Sequence, residues 1–493
     1  MAIVAIAAIS CNDFLKEDPK TFLSPDNYFT TEAQMQSAVN GLYRQIPSIF
    51  NGDVEVGTQR FIFLEYMTGY GRRPRSATTQ YLTQANLLTV SEENNNLESM
   101  WQSAYNAIEN CNNVIAGITS STANVADDAK NVFLGEAYFL RAYYYFTLVR
   151  LWEDVPLKTT PTLDLSENEI PLSSAKDVYL QIESDLLNSE ELMGSSAWNR
   201  IDGHVSKGAV KSLLAKVYIT MAGYPLQLGT EYYKKAYEKA KEVVASKAFS
   251  LFTHYSGLTD YGNANSGEFI FSIQRDADRA GSPVHQLMLP YPYPEKEISS
   301  NPEGGGAIAP TLEFYNSFAD DDQRKAEKGF FYTKMEAKDG SGMVEFDTPY
   351  IYKWWDNSAA QNGKSGINYP LIRYADILLI EAEAKTQADG GSTSDASAID
   401  AYYAVRHRAF PSESRPPVIT FNEVYKERIF ELCFETQTWY DMLRTRKALN
   451  TSTGEIVDLI GYQTPGHAAP FAAKDLVFPY PIREKRLNPN LVR

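Results

Sequence analysis

The spacing of apolar residues along the chain predicts a protein built mainly of α-helices. Apolar side chains recur every three or four positions, the period that places them on one face of a helix. The segments that carry this pattern are 32–46, 97–118, 127–152, 175–192, 206–221, 232–245, 374–387, 396–408 and 421–449. Thr31 can cap the first segment, and Pro156 stops the third one from continuing.

Two long stretches lack the helical period. Residues 51–96 are rich in Gly, Arg, Thr, Asn and Gln and are predicted to form a long irregular loop. Residues 249–369 are dominated by Gly, Pro, Tyr and Trp, with a strand predicted at 269–273. Prolines keep the segment 478–482 extended. No linker-like segment divides the chain, so we expect one compact unit in place of the three domains that its length suggests.

One pair of helical segments has small residues where two helices would meet. Leu214, Ala215 and Tyr218 lie on the segment 206–221, and Ala236 and Ala240 lie on the next helical segment. Small side chains let two helices approach closely while a large one fills the remaining gap. The pair resembles a tetratricopeptide helix pair, although the connecting turn is longer than the repeat of about 34 residues allows.

The first ten residues form a short apolar run that ends at Cys11. The run is too short to span a bilayer, but it fits the hydrophobic part of a secretory signal. Small residues before a cysteine indicate a lipoprotein cleavage site, so residues 1–10 are predicted to be a signal peptide and Cys11 to carry the lipid. The basic residues of a signal peptide are missing, which suggests an upstream start. The alternative is a buried N-terminal strand with an ordinary cysteine.

Net charge, the length of apolar runs and the positions of the cysteines each argue against one kind of protein or site. The 493 residues include 62 acidic and 46 basic side chains, a net charge of −16, which argues against nucleic acid as a partner. Beyond the first residues, no stretch is long and apolar enough to span a membrane. Cys111 and Cys433 lie in helical segments and are predicted to be buried thiols rather than metal ligands.

The charged motifs of the second half could suggest an active site. Arg373 and Asp376, and the acidic and basic residues of 427–441, have helical spacing and alternate with core positions, so we interpret them as structural ion pairs. The acidic run 320–322 before Arg324 is interpreted as a solvated turn rather than a cation site. The histidines are scattered and no nucleophile–base set emerges, so no catalytic residue, metal site or cofactor is predicted.

Several separated motifs follow one another along the chain. They are 11–15 with 24–29, then Trp101, Tyr105, Ile108 and Asn112, then 136–145 with 154–156, 373–379 with 381–384, 427–435 with Trp439 and Asp441, and 478–481 with 488–489. On these motifs the chain resembles the SusD/RagB family of outer-membrane nutrient-binding lipoproteins. The family usually has Gly and then a basic residue after the glutamate that matches Glu435. This chain has Thr436 and Thr438 there, which puts one structural hydrogen bond in doubt.

The resemblance implies a fold and a cellular role. The fold would be all-α, with four tetratricopeptide-like helix pairs packed against a loop-rich face that has minor β-structure. Residues 11–248 and 249–493 would be two parts of one compact unit. The protein would be lipid-anchored to the outer membrane through Cys11, exposed at the cell surface, and placed as a lid over a SusC-like TonB-dependent transporter barrel. It would capture glycans without performing chemistry.

Three other functions remain open at this stage. In the RagB branch of the family the ligand is a peptide, and Arg72, Arg73 and Arg75 would favour acidic ligands of either kind. A helical-repeat scaffold inside the cell is another possibility, and a hydrolase is the weakest one.

Carbohydrate recognition needs flat aromatic faces and planar polar groups on loops that a rigid scaffold holds. Two loop regions supply such residues. The first holds Tyr66, Tyr70, Arg72, Arg73 and Tyr81, and the second holds Gln286, Tyr291, Tyr293 and Trp354. For each of them, packing inside the protein is an equally good interpretation. Trp355 is predicted to be in the core, because it would face away from Trp354 if 350–355 formed a strand.

Overall fold

The computed structural model describes residues 28–50, 60–74, 80–164, 169–302 and 305–492. The predicted signal segment, Cys11 and Arg75 lie outside these ranges. The helices are α1 (Glu32–Tyr43), α2 (Gln45–Phe50), α3 (Arg60–Thr68), α4 (Gln80–Leu87), α5 (Asn95–Ser120), α6 (Asp127–Trp152), α7 (Ala175–Leu192), α8 (Lys207–Ala222), α9 (Thr230–Ala245), α10 (Val284–Leu287), α11 (Leu312–Asn316), α12 (Asn357–Asn362), α13 (Tyr374–Ala388), α14 (Ala396–Ala409), α15 (Phe421–Glu431), α16 (Gln437–Thr445) and α17 (Ile482–Leu487).

The strands are short, and each pairs with a single antiparallel partner. They are β1 (Gly71–Arg72), β2 (Val155–Pro156), β3 (Leu172–Ser173), β4 (Phe269–Ile273), β5 (Ala309–Pro310), β6 (Phe331–Glu336), β7 (Met343–Ile351), β8 (Tyr369–Arg373), β9 (Ser392–Thr393), β10 (Ile419–Thr420), β11 (Lys447–Leu449) and β12 (Ile456–Asp458). The pairs are β1–β5, β2–β3, β4–β8, β6–β7, β9–β10 and β11–β12. The structure is therefore helix-dominated with minor β-structure, as predicted.

Most of the predicted helices are confirmed, and two predictions are wrong. The predicted loop 51–96 contains α3 and α4. Almost every residue of α3 is buried, so its sequence lacks the one-sided pattern that identifies a surface helix. The predicted helix 421–449 is divided between α15, α16 and β11, because Phe434 and Thr436 have φ angles of 60° and 61°. A helix cannot continue through that left-handed backbone region.

The long helices pack on one another in chain order and form the scaffold. Each helix from α5 to α8 contacts the next one, α9 packs on α13, and α13 packs on α14. Ala236 and Ala240 are completely buried on α9, so the prediction of a close helix pair is confirmed. In the described part of the chain, no helix is both long and apolar enough to cross a bilayer.

Buried ion pairs join the C-terminal helices, as predicted from their spacing. The Arg373 guanidinium lies 2.6 Å from a carboxylate oxygen of Glu268, 2.9 Å from one of Glu431 and 2.8 Å from one of Glu435. Arg408 pairs with the first two of these carboxylates. Burial alone would raise the pKa of Glu431, but the surrounding cations outweigh it and lower that pKa to about 2.

A second network ties α8 to α13, α15 and α16. Arg428 lies 2.9 Å from Asp376 and 3.0 Å from Asp441, and Lys216 of α8 also pairs with Asp376. Burial raises the pKa of Asp376, yet Lys216 and Arg428 together lower it to about 2. Each of these charged side chains is neutralised by a buried partner, so none of them is available to act on a substrate.

Residues 274–368 leave the scaffold at β4 and return at β8, the strand paired with it. This segment builds a second hydrophobic core, separate from the main one. Its buried members are Leu289, Ile298, Ala309, Tyr332, Met335, Tyr350, Trp355 and Ala360. The second core positions the loop-rich face on the helical scaffold.

Candidate functional site

The second core reaches the surface as a group of aromatic side chains. Buried Tyr332 lies at its centre, with ring centroids 5.7 Å from Phe346, 6.0 Å from Tyr350 and 6.0 Å from Tyr352. Phe346, Tyr352 and Tyr293 are partly exposed, and Tyr291 is 39 % exposed. We call Tyr291, Tyr293, Phe346 and Tyr352, together with Arg72, the aromatic face.

Hydrogen bonds to Tyr350 and Ser299 hold the loop that carries Tyr291 and Tyr293. The Tyr350 hydroxyl lies 3.2 Å from the Tyr291 carbonyl oxygen, to which it donates. The Tyr293 hydroxyl donates to the Ser299 carbonyl over 2.5 Å and accepts from the Ser299 amide over 2.7 Å. The Tyr291 backbone and the Tyr293 side chain are thus held before any ligand arrives, which reduces the entropy lost on binding.

His285 connects this loop to the start of α12. Its Nδ1 accepts from the Asp356 amide over 3.1 Å, and its Nε2 lies 2.9 Å from the Ser299 hydroxyl. Burial lowers the pKa of His285 to about 4, so the ring is neutral at physiological pH. Nδ1 as acceptor leaves the proton on Nε2, which makes His285 a positioning residue rather than a proton donor to a substrate.

Arg72 lies beside the same aromatic group. Strand β1 pairs with β5, which places the Arg72 Nε 3.1 Å from the Pro310 carbonyl oxygen and its Nη2 2.6 Å from the Thr348 hydroxyl. Its guanidinium carbon is 5.8 Å from the centroid of the Tyr350 ring, within cation–π distance. No carboxylate of the described residues forms an ion pair with Arg72, so its positive charge remains uncompensated on the face.

Three of the predicted ligand residues are buried in the main core, and the structure corrects their assignment. Tyr66, Tyr70 and Trp354 are only 1, 3 and 2 % exposed. The Tyr66 hydroxyl donates to the Ala307 carbonyl, the Tyr70 hydroxyl donates to Leu449, and the Trp354 indole donates to Phe434. Because each polar tip finds a buried acceptor, these rings pack inside the protein and present no face to a ligand.

The other predicted residues are distributed around the aromatic face. Arg73 donates to the Thr83 hydroxyl on α4 over 2.8 Å, and Tyr81 is half-buried on the same helix. Gln286 is half-buried and donates to the Gly363 carbonyl over 3.4 Å. The structure therefore brings Arg72, Tyr291 and Tyr293 together. It leaves Tyr81 and Gln286 without a described contact to them.

The sequence did not identify the aromatic residues of the β6–β7 hairpin. Phe346 lies on β7, where less exposed residues alternate with the exposed Met343, Glu345 and Asp347. That alternation is the signal of a half-buried strand, and it was available in the sequence. Strand β7 ends at Ile351, so residues 350–355 do not form the strand that was the condition for placing Trp355. Trp355 is nevertheless in the second core, as predicted, and Trp354 is buried in the main core.

The aromatic face is an open surface, while the larger cavities of the described residues lie elsewhere. Those cavities, of about 500 to 640 Å³, are lined by residues such as Met67, Trp101 and Phe29. The described residues contain no group of three His, Cys, Asp or Glu side chains arranged to hold a metal ion. Asp320 pairs with Lys325 and Asp322 pairs with Arg324. An open aromatic surface suits the flat apolar side of an extended ligand.

Comparison with known proteins identifies the family. A family model described as starch-binding associating with outer membrane matches residues 14–219, and the SusD family model matches residues 327–493. A SusD superfamily protein from Parabacteroides distasonis is 33 % identical, and its crystal structure covers 93 % of this chain and 98 % of its own with a TM-score of 0.86.

Two further relatives are more distant. SusD-like protein P2 from Formosa agariphila is 25 % identical over 487 residues, which cover 90 % of this chain and 89 % of the relative. Surface glycan-binding protein A from Bacteroides uniformis has the same fold, with a TM-score of 0.75 at 21 % identity over 94 % of this chain and 99 % of that one. The fold, the family models and the relative that is one-third identical agree: the chain belongs to the SusD/RagB family.

Proposed function

We propose that this protein captures glycans at the cell surface for a SusC/SusD-type nutrient uptake system. In this proposal it binds an oligosaccharide or polysaccharide and delivers it to a TonB-dependent outer-membrane transporter of the SusC type. Members of the family are outer-membrane-associated carbohydrate-binding proteins and not enzymes. The anchor of this chain would be a lipid on Cys11.

The aromatic face is the observation that carries the proposal. Tyr291, Phe346 and Tyr352 offer partly exposed rings, of which Phe346 lies on strand β7, Tyr352 directly follows that strand, and Tyr291 has its backbone held by the Tyr350 hydroxyl. The C–H side of a pyranose ring is apolar, and a flat aromatic ring covers it at little entropic cost. Ring hydroxyls of the sugar would find donors and acceptors in the Tyr352 hydroxyl and in Arg72.

The affinity should be modest, because an open face buries little of the ligand. We expect dissociation constants of about 1 μM to 1 mM, with longer oligosaccharides at the tighter end. Weak capture suits delivery, since the ligand must leave the face to enter a transporter.

The decisive test is a binding screen with the full mature protein and a matched pair of variants. An array of plant, algal, microbial and host glycans, together with oligopeptides, identifies the ligand class. Calorimetry then compares Tyr291→Ala with Tyr224→Ala. Tyr224 is also 39 % exposed and is also followed by a proline, but it lies beside Arg444 in a different part of the molecule.

We expect Tyr291→Ala to weaken glycan binding at least about tenfold, because stacking on an aromatic ring contributes roughly 1–3 kcal/mol in comparable ring–ring contacts. Tyr224→Ala should leave the affinity unchanged. Equal affinities for the two variants would show that the ligand binds elsewhere, and cleavage of any glycan by the purified protein would contradict the proposal.

A peptide ligand is the second candidate, and Arg72 is the observation that favours an acidic ligand. Its guanidinium has no carboxylate partner among the described residues, and it lies next to Tyr350. Arg72→Gln should weaken the binding of uronic-acid oligosaccharides or acidic peptides and leave neutral glycans unaffected. Binding only to peptides in the screen would replace the glycan proposal with the RagB-like one.

The anchor and the partner need separate experiments. Metabolic palmitate labelling of the wild type should be lost in Cys11→Ala, which would also exclude a scaffold inside the cell. Affinity purification from membranes, without detergent exchange, should recover a large TonB-dependent barrel. Recovery of the protein alone, with labelling intact, would leave glycan capture supported and contradict delivery to such a partner.

A further inference from the structure

A small polar cavity lies where the end of α6 meets α7, α8 and α16. Its volume is about 10 Å³, and it is lined by Arg150, Glu153, Tyr179, Thr220, Tyr224, Pro225, Tyr440, Leu443, Arg444, Arg446 and Leu476. None of these residues belongs to the aromatic face. The cavity is therefore a feature independent of glycan capture.

Three side chains of this cavity have polar atoms that lack a hydrogen-bond partner among the described residues. They are the hydroxyls of Tyr179 and Tyr440 and the Nη1 of Arg446. Tyr179 is completely buried and Tyr440 is 5 % exposed, so bulk water does not solvate the two hydroxyls. A buried polar group without a partner costs about 1–3 kcal/mol, so three around one cavity indicate a bound group that supplies their partner.

The hydrogen-bonding character of these atoms is uniform. A guanidinium Nη1 can only donate, and each phenol hydroxyl can donate its single proton. Thr220 does not add a donor, because its hydroxyl already donates to the Lys216 carbonyl over 2.7 Å. The unpartnered atoms thus favour a group that accepts several hydrogen bonds at once.

The charge around the cavity is positive. Arg150 stacks between the rings of Phe146 and Tyr440, with its guanidinium carbon 3.9 and 3.5 Å from their centroids, and forms no ion pair with a described carboxylate. Arg444 is neutralised by Glu383 and Asp441.

The remaining charges are Arg446 and Glu153, whose closest oxygen is 3.8 Å from the Arg446 Nη2. Burial lowers the pKa of Arg446, and Glu153 opposes this only in part. Two cations and one carboxylate leave a net charge of about +1 at the cavity.

We propose that this cavity is a binding site for a small monovalent anion of the halide class, chloride being the physiological one. The volume suffices for about one water-sized particle, which excludes sulfate, phosphate and sugars. A halide in the cavity would accept hydrogen bonds from the unpartnered donors of the residues that line it and would neutralise the excess positive charge. The site would join the end of α6 to α7 and α16 and stabilise the contact between distant parts of the chain.

Thermal unfolding of the full mature protein tests the proposal with sodium chloride as the probe. Sodium gluconate at the same ionic strength is the comparison, because gluconate is too large for the cavity. We expect the unfolding temperature to rise with chloride and to saturate, and not to rise with gluconate. Tyr179→Phe and Tyr440→Phe keep the rings and remove one donor each, so each should weaken the chloride dependence about tenfold.

Tyr332→Phe is the matched control, since its buried hydroxyl also lacks a partner but lies in the second core. It should keep the full chloride dependence. Crystals of the wild type grown with sodium bromide should show an anomalous peak between Tyr179, Tyr440 and Arg446. Equal unfolding in chloride and gluconate, or a water without anomalous signal at that position, would overturn the proposal.

Discussion

At the scale of single residues, the partner of the polar tip decides whether a tyrosine is core or surface. Tyr66 and Tyr70 are buried because their hydroxyls reach the carbonyls of Ala307 and Leu449. Tyr291 keeps its ring partly exposed, although the Tyr350 hydroxyl holds its backbone. All three lie in predicted loops that are rich in aromatic and polar residues, so the local sequence could not distinguish the buried tyrosines from the exposed one.

The buried ion pairs of Arg373 make it a sensitive position for stability. Arg373→Met removes the guanidinium that contacts Glu268, Glu431 and Glu435 together, and leaves Arg408 and Lys353 to neutralise three buried carboxylates. We expect the free energy of unfolding in urea to fall by about 3–5 kcal/mol. The control is Lys364→Met, which removes an exposed pair with Asp278 and should change nothing measurable. Similar losses for both variants would contradict the structural role of the network.

Glu381 should give the protein a pH dependence of known sign. Burial raises its pKa to about 7, its hydrogen bond to Ser397 opposes this, and its Oε2 has no partner among the described residues. A folded-state pKa above the unfolded one means that stability is full below pH 4.5 and is lost as pH rises to about 7. Glu381→Gln should remove this loss.

Urea unfolding of wild type and Glu381→Gln between pH 4 and 8 measures the effect. We expect the variant to gain roughly 3 kcal/mol relative to the wild type across this range. Any pH-independent cost of the new amide group shifts the whole plot of unfolding free energy against pH and does not change its slope. Two parallel curves would show that Glu381 is not the titrating group.

At the scale of elements, the break between α15 and α16 explains a departure from the family pattern. Thr436 stands where the family usually has glycine, and its φ of 61° is the conformation that glycine adopts without steric cost. The Thr436 amide donates to the Glu65 carboxylate over 2.6 Å. The turn therefore keeps its geometry with a strained residue.

Substitutions at position 436 should follow the order Gly, Thr, Val in stability. Thr436→Gly relieves a strain of about 1–2 kcal/mol but also loses the side-chain hydroxyl, so we expect a net gain of up to about 1 kcal/mol in the free energy of unfolding. Thr436→Val keeps the branched side chain but loses the hydroxyl that donates to the Glu435 carbonyl, so a loss of about 1 kcal/mol is expected. A destabilising glycine would show that the turn is not strained.

At the scale of the whole molecule, residues distant in sequence share one main core. The Trp152 indole donates to the Pro479 carbonyl over 2.9 Å, Lys216 of α8 pairs with Asp376 of α13, and the buried core runs from Met35 to Leu491. The parts 11–248 and 249–493 are therefore predicted to unfold together.

Calorimetry of the full mature protein tests this cooperativity. We expect a single transition whose calorimetric enthalpy equals its van't Hoff enthalpy. Addition of a glycan identified in the screen should shift the whole transition upward, since a ligand that binds only the folded state stabilises the entire unit. Two separate transitions, only one of which responds to ligand, would indicate independent domains.

The sequence by itself determined the helical scaffold, the close pair of α8 and α9, and the structural role of the charged motifs. These features depend on local periodicity, which the residues of one segment carry among themselves. Helix α3 escaped prediction because burial on all sides erased its periodicity.

Only the tertiary structure decided which aromatic residues form the face. Phe346 lies on strand β7 of the β6–β7 hairpin, and Tyr352 directly follows that strand. The β1–β5 pair positions Arg72, and the Tyr350 hydroxyl holds the backbone of Tyr291. The contacts of Tyr291 with Tyr350 and of Arg72 with Thr348 join residues 59 and 276 positions apart, and the choice between core and surface depends on which buried acceptors the fold brings within reach. The hydrogen-bond partners of these hydroxyl and guanidinium groups are set only by the packed chain, because no local sequence pattern specifies them.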